Sequence, residues 1–168
     1  MARVSTMMDM RFLPDAAPTP GRCDARGFAS IGLYAPKSKD NVGGVLRAAK
    51  IFGSKLVVVA KSRLRNEASN VMQTHRHIPV LETDDLLACR PWHSQLVVVE
   101  CVPGAQELHT FTHPTSAFYV FGPEDGSVPN HITEKAQHVI RLRAWHCLNL
   151  AATVNVVLHD RVSKRGLG

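Results

Sequence analysis

From Gly27 onward the chain alternates short apolar runs with segments of helical periodicity. The β-rich runs fall at Phe28–Tyr34, Lys55–Ala60, Ile78–Leu81, Leu96–Cys101, Ala117–Phe121 and Val139–Leu142. Several are unbroken apolar stretches, which predicts strands buried on both faces. Between the first two, Val42, Val45, Leu46 and Ala49 recur at i, i+3, i+4 and i+7, the spacing of one helix face over about Asn41 to Phe52. Gly53 ends that helix. Leu150, Val154, Val157, Leu158 and Arg161 place a second amphipathic helix from about Leu148 to the C-terminus, with the final SKRGLG fraying. Strands alternating with helices predict an α/β fold: a mostly parallel sheet with helices on both faces. Residues 1–26 hold Pro14, Pro18, Pro20 and Gly21 without sustained periodicity and read as a flexible leader, so the folded domain is expected over 27–168.

Composition adds a direction. The 168 residues suit one domain, and 20 Lys+Arg against 14 Asp+Glu give a formal net charge of +6, which favours a polyanionic partner such as nucleic acid. Four scattered cysteines, Cys23, Cys89, Cys101 and Cys147, form no CxxC pair. They point to a reduced, cytoplasmic compartment. No apolar run reaches the roughly 18 residues of a membrane span, and no signal pattern opens the chain. Among nine histidines, His75/His77 and His109/His113 lack zinc-ligand spacing, so no metal is assigned. His146 beside Cys147 has no orienting third residue and is not read as a nucleophile and its base. Trp92 and Trp145 are taken as packing residues, with Trp145 close enough to the site to remain a stacking candidate.

In parallel sheets ligands gather where strands end, and three such junctions carry candidate chemistry. Asn41-Val-Gly43-Gly44-Val-Leu-Arg47 opens a helix. Asn41 suits its N-cap, and two glycines leave room for an anion near Arg47; a capped helix with an exposed arginine explains the segment equally well. Phe121-Gly122-Pro123-Glu124-Asp125-Gly126 makes a sharp turn at a strand end and presents Glu124, which also fits an ordinary acidic turn. Trp145-His146-Cys147-Leu148-Asn149-Leu150-Ala151 places Asn149 to cap the last helix or bind a ligand. Neither GxGxxG nor a Walker-type loop is present, which argues against the common nucleotide-binding folds.

Taken in order, "NVGGVLRAAKIFG", "FYVFGPEDGSVP" and "HCLNLAATVNVVLHDR" resemble the three motifs of the SpoU (TrmH) branch of SPOUT methyltransferases, over about Arg26 to Lys164. The resemblance implies an S-adenosylmethionine-dependent RNA ribose 2'-O-methyltransferase, a deep C-terminal trefoil knot and a homodimer that completes the site. It implies catalytic roles for Asn41, Arg47, Glu124 and Asn149. The cofactor cradle would comprise Glu100, Gly122, Ile140, Leu142, Cys147 and Leu148. The chain resembles the minimal members of the branch, several of which modify tRNA, so tRNA is expected ahead of rRNA. Lys37, Lys39, Lys61, Arg63 and Arg65, in the loops after the first two strands, are candidate phosphate contacts alongside Arg47. Two departures from the family pattern stand out: Ser127-Val128 where a Gly-Leu pair is usual, and Cys147 where serine is common. They leave a non-catalytic RNA-binding protein of the same fold as the alternative.

Overall fold

The computed structural model describes residues 27–64 and 78–167. The expected leader, Arg65, His75 and His77 lie outside the described residues. The elements run β1 (Ala29–Tyr34), α1 (Lys39–Ile51), β2 (Val57–Ala60), β3 (Val80–Thr83), β4 (Gln95–Val99), β5 (Gln106–Glu107), β6 (Ala117–Phe121), α2 (Asn130–Thr133), β7 (His138–Arg141) and α3 (Leu150–Arg165). The seven strands form one sheet in the order β3-β2-β1-β6-β4-β7-β5. Every pairing is parallel. Parallel strands need crossovers, and the crossovers cover both faces, which is why the central strands are buried along nearly their whole length and mostly apolar.

Side chains alternate across the sheet. Ile31, Leu33, Val57, Val59, Val97, Val99, Tyr119 and Phe121 point into one core together with Val45, Leu46 and Ala49 of α1 and Val154, Val157 and Leu158 of α3. Val58, Ala60, Leu96, Val98, Phe118 and Val120 point into the other, closed by Leu86, Val128 and Ile132. The two faces are unequal: α1 and α3 pack on one, while α2 and irregular chain around Leu86 cover the other.

Several boundaries differ from expectation for local reasons. Ser38, not Asn41, is the N-cap of α1: its backbone is extended and its hydroxyl accepts the Asn41 amide N–H at 3.3 Å. Asn41 therefore sits in the first turn, free to use its side chain elsewhere. The third strand begins at Val80 rather than Ile78 and runs to Thr83, with Leu81 and Glu82 exposed at a sheet edge. α3 stays helical to Arg165, ended by Gly166 at φ 61°, so the tail does not fray where expected. β5 and α2, of two and four residues, are too short to leave a periodic signal.

Register sets where the site lies. Leu33 pairs with Phe121, Phe121 with Val99, and Val99 with Ile140, so β1, β6, β4 and β7 end at one level. The loops beginning at Ala35, Gly122, Glu100 and Leu142 therefore leave the sheet side by side.

Candidate active site

These loops enclose a cleft of about 430 Å³, within the range of small-molecule and cofactor sites. Val99, Phe121, Leu142, Leu148 and Leu150 give it apolar walls, and Glu100 and Glu124 line it with carboxylates. Gly122 is needed at the turn itself, because a Cβ there would meet the Val128 amide nitrogen at 3.0 Å and a Val128 methyl at 3.2 Å.

Glu124 is the hub. Its carboxylate accepts backbone N–H bonds from Lys37 at 3.1 Å and Ser38 at 3.3 Å, and the Asn41 side-chain amide at 2.7 Å. Asn41 Oδ1 in turn accepts the Asn149 side-chain amide at 2.6 Å. Asn149 Oδ1 caps α3 by accepting from Ala151 and Ala152 at 2.9 and 3.4 Å. One continuous chain of hydrogen bonds thus joins segments up to 108 residues apart. Partial burial pulls the Glu124 pKa upward, but the bonds from Asn41, its own backbone N–H, Lys37 and Ser38 outweigh it and hold the carboxyl below its ordinary value. Glu124 is therefore an anion at neutral pH and an acceptor, not an acid.

The next residue reinforces this hub. Asp125 takes a two-pronged bond from Arg63, at 2.6 and 3.2 Å, and an ion pair from Lys37 at 3.2 Å. Arg63 also donates Nε–H to the Ala35 carbonyl at 2.9 Å. The Glu124-Asp125 pair clasps the β6 turn to the loops after β1 and β2. Glu100 does similar work across the cleft, accepting N–H bonds from Val128 at 2.9 Å and Cys101 at 3.0 Å.

Asn41, Glu124 and Asn149 are brought together. Glu100, Gly122, Leu142, Cys147 and Leu148 line the cleft. Ile140 does not: its side chain is fully buried in the core and only its carbonyl reaches toward the site, accepting the Glu100 N–H at 2.9 Å. Arg47 lies on the exposed side of α1, outside the cleft of its own chain. Among the candidate phosphate contacts, Lys37 and Arg63 are committed to Asp125 and Lys61 to Asp84 at 3.0 Å. Lys39 sits in the first turn of α1. The tryptophans are not packing residues, since Trp92 is 84% and Trp145 98% exposed.

Sequence reasoning missed a buried polar cluster beneath α3. His113 contacts the Tyr119 hydroxyl at 2.6 Å and Asp160 at 2.8 Å. Arg161 donates to the Tyr119 hydroxyl and to the carbonyls of Phe28, Pro114 and Thr115. Burial lowers the His113 pKa against the opposing pull of Asp160 and raises that of Tyr119 to about 12. The only sequence signal was a charged residue, Arg161, on an apolar stripe. Among the described residues no group of His, Cys, Asp or Glu is placed to hold a metal ion, and no helix is long and apolar enough to cross a membrane.

A parallel α/β sheet whose loops converge at the strand C-terminal ends on an apolar, carboxylate-lined cleft defines a cofactor-binding enzyme of the α/β class. The sequence pattern of the SpoU rRNA methylase family matches residues 29–159, and the chain belongs to that family. It is thus an RNA methyltransferase of the SpoU branch, and S-adenosylmethionine is its methyl donor, as the motifs implied. Solved structures agree on the fold. A protein described as revealing the 2-OH methylation of C/U34 on tRNA superposes with a TM-score of 0.70 at 17% identity, over 82% of this chain and 91% of that one. An AdoMet-bound rRNA methyltransferase from Sinorhizobium meliloti gives 0.70 at 18%, over 85% and 58%. A TrmH/SpoU tRNA modifying enzyme from A. aeolicus gives 0.69 at 15%, over 82% and 75%. The chain therefore spans nearly all of the first relative and under two thirds of the second. No curated protein matches the chain.

Proposed function

We propose that this chain methylates a ribose 2'-hydroxyl of tRNA, acting as a cytoplasmic homodimer, with Asn41, Arg47, Glu124 and Asn149 as its working polar groups. The observation that carries the reading is the Glu124–Asn41–Asn149 hydrogen-bond chain. It ties the three motif segments together beside a cleft that suits the cofactor in size, in apolar walls and in negative charge toward a sulfonium. Glu100, Gly122, Leu142, Cys147 and Leu148 would hold S-adenosylmethionine, and the Ile140 carbonyl would support the Glu100 loop. When bound, the cofactor supplies an electrophilic methyl group.

The protein's share is positioning and electrostatics. Glu124 is anionic and saturated with donors, so it orients Asn41 rather than moving a proton. Arg47, with a guanidinium pKa above about 12, is no general base near neutrality. It holds the adjacent phosphate and stabilises charge developing on the ribose oxygen, while a phosphate oxygen or water accepts the proton. The single chain leaves Arg47 on its surface, and a second copy brings it to the cleft; this is the reason for proposing a homodimer. In the fold, β7 lies between β4 and β5, both earlier in the chain, and α3 then returns to α1. That late insertion supports the trefoil knot as part of the same proposal. The tRNA preference is supported by the described activity of the relative matched over nearly its full length. The three described cysteines are free thiols, which supports a reducing compartment.

The test is titration with S-adenosylmethionine followed by methyl transfer to tRNA and rRNA. Arg47→Ala is expected to abolish transfer and leave cofactor affinity unchanged; an equal loss of both would remove Arg47 from its role. Mixing Arg47→Ala with a cleft variant that cannot bind cofactor should restore turnover if Arg47 acts across the dimer, and restore none if it acts within one chain.

A further inference from the structure

The mouth of the cleft carries a side chain that methyl transfer itself leaves unused. Trp145, between β7 and α3, lines the cleft and is 98% exposed. An indole left wholly in water at the rim of a site marks a contact surface, since it contributes nothing to the core. Its chain neighbours are basic: Arg141 and Arg143 precede it, and no Asp or Glu occurs from Arg141 through His159. The cleft carboxylates Glu100 and Glu124 already accept from Val128 and Cys101 and from Lys37, Ser38 and Asn41. Arg141 is paired with Glu107 at 3.2 Å. Arg143 is exposed and has no ion-pair partner among the described residues. The N-terminal turn of α3 opens on the same cleft through Leu150 and Thr153 and holds no acidic residue, so its dipole adds positive potential there.

We infer that Trp145 and Arg143 form a subsite for single-stranded RNA beside the methylated nucleotide. The indole stacks on a neighbouring base and the guanidinium contacts its phosphate. This rests on the proposed RNA methylation and extends it to a chosen part of the substrate. A second copy of the chain is the other occupant such a rim could have. The exposed Arg143 guanidinium and the N-terminus of α3 give this rim a positive potential of its own, which favours a polyanion there. Stacking tolerates any base, so the subsite selects unpaired RNA over duplex, not one sequence over another.

A single-tryptophan protein tests this. Trp92 sits before β4, at the N-terminal end of the parallel strands and away from the cleft, so Trp92→Phe leaves Trp145 as the sole reporter. Short single-stranded RNA should quench its emission in a salt-dependent manner, and duplex RNA of the same sequence should quench far less. Trp145→Ala should weaken RNA binding by roughly 5- to 150-fold, the range that about 1–3 kcal/mol of stacking converts to, with Trp145→Phe recovering most of it. The loss of RNA affinity should exceed any loss of affinity for S-adenosylmethionine; equal losses would place the indole on the cofactor and overturn the subsite. RNA affinity unchanged in Trp145→Ala, or emission that responds to protein concentration and not to RNA, would overturn the subsite. Failure of the Trp92→Phe protein to bind S-adenosylmethionine at all would instead count against the enzyme reading beneath it.

Discussion

At the scale of single residues, the site is organised by acceptors that are saturated with donors. Replacing Glu124 with Ala leaves two backbone N–H groups and the Asn41 amide without their partner. Being only part-buried, these groups recover some solvation, and the loss is expected to be about 1 kcal/mol, measurable by urea denaturation. Activity should fall much further than stability, because Asn41 and Asn149 lose their alignment. The sign of the pH effect follows from the lowered Glu124 pKa. Its contribution to stability is full above the ordinary value of 4.5 and is lost as pH falls through the folded value. Glu124→Gln should flatten stability over that acid range; an unchanged slope would show that Glu124 is not the titrating group. Asp125 was legible only as a turn residue. Its partners Lys37 and Arg63 looked like phosphate contacts because sequence shows that a cation lies in a loop but not which carboxylate it meets. Asp125→Asn should lower kcat and leave cofactor affinity unchanged, with high salt reducing wild-type kcat toward the variant's.

At the scale of elements, the two long helices are tied to each other and to the cleft. Asn149 both caps α3 and donates to Asn41, and one substitution separates the roles. Asn149→Asp keeps an oxygen for the cap and removes the donor, so helix stability should survive while activity falls. Asn149→Ala should lose both, with a stability cost of about 1 kcal/mol. Gly44 shows why the double glycine of the first motif matters: a Cβ on it would meet the Ala151 Cβ at 2.7 Å. Alanine gains up to about 1 kcal/mol in helix propensity but costs about 1–3 kcal/mol through overpacking of rigid atoms, so Gly44→Ala should lower the melting temperature. A rise would mean that α1 and α3 separate freely. The helices themselves were readable, since Val42, Val45, Leu46 and Ala49 and then Leu150, Val154, Val157 and Leu158 are buried as their spacing predicted. The α1 start was misplaced by two residues because Ser38 and Asn41 are both good capping types, and only the backbone angles chose between them.

At the scale of the whole molecule, α3 is locked to the sheet by the buried cluster around His113, Tyr119, Asp160 and Arg161. Burial lowers the His113 pKa below its ordinary 6.5. The unfolded chain then takes up a proton that the folded chain refuses, so stability is full above pH 6.5 and declines as pH falls toward the folded value. His113→Gln should remove that decline in thermal unfolding between neutral and mildly acidic pH; if the decline persists, another group is responsible. Arg161→Leu should be among the most damaging changes in the chain. It removes the donor of three part-buried carbonyls and of the buried Tyr119 hydroxyl at once.

By itself the sequence determined the strand-rich α/β class, the two helix faces and the three junctions that carry chemistry. Those features depend on local periodicity and on residues within a turn of one another. Tertiary structure alone decided which of those residues meet. The common level of the strand ends made Glu124 the partner of Asn41, Asn41 the partner of Asn149, and Asp125 the partner of Arg63. It also sent Ile140 into the core and left Trp145 in water. A hydrogen bond between residues 83 or 108 positions apart leaves no periodic trace in the chain, because it is fixed by the register of strands that are not neighbours in sequence.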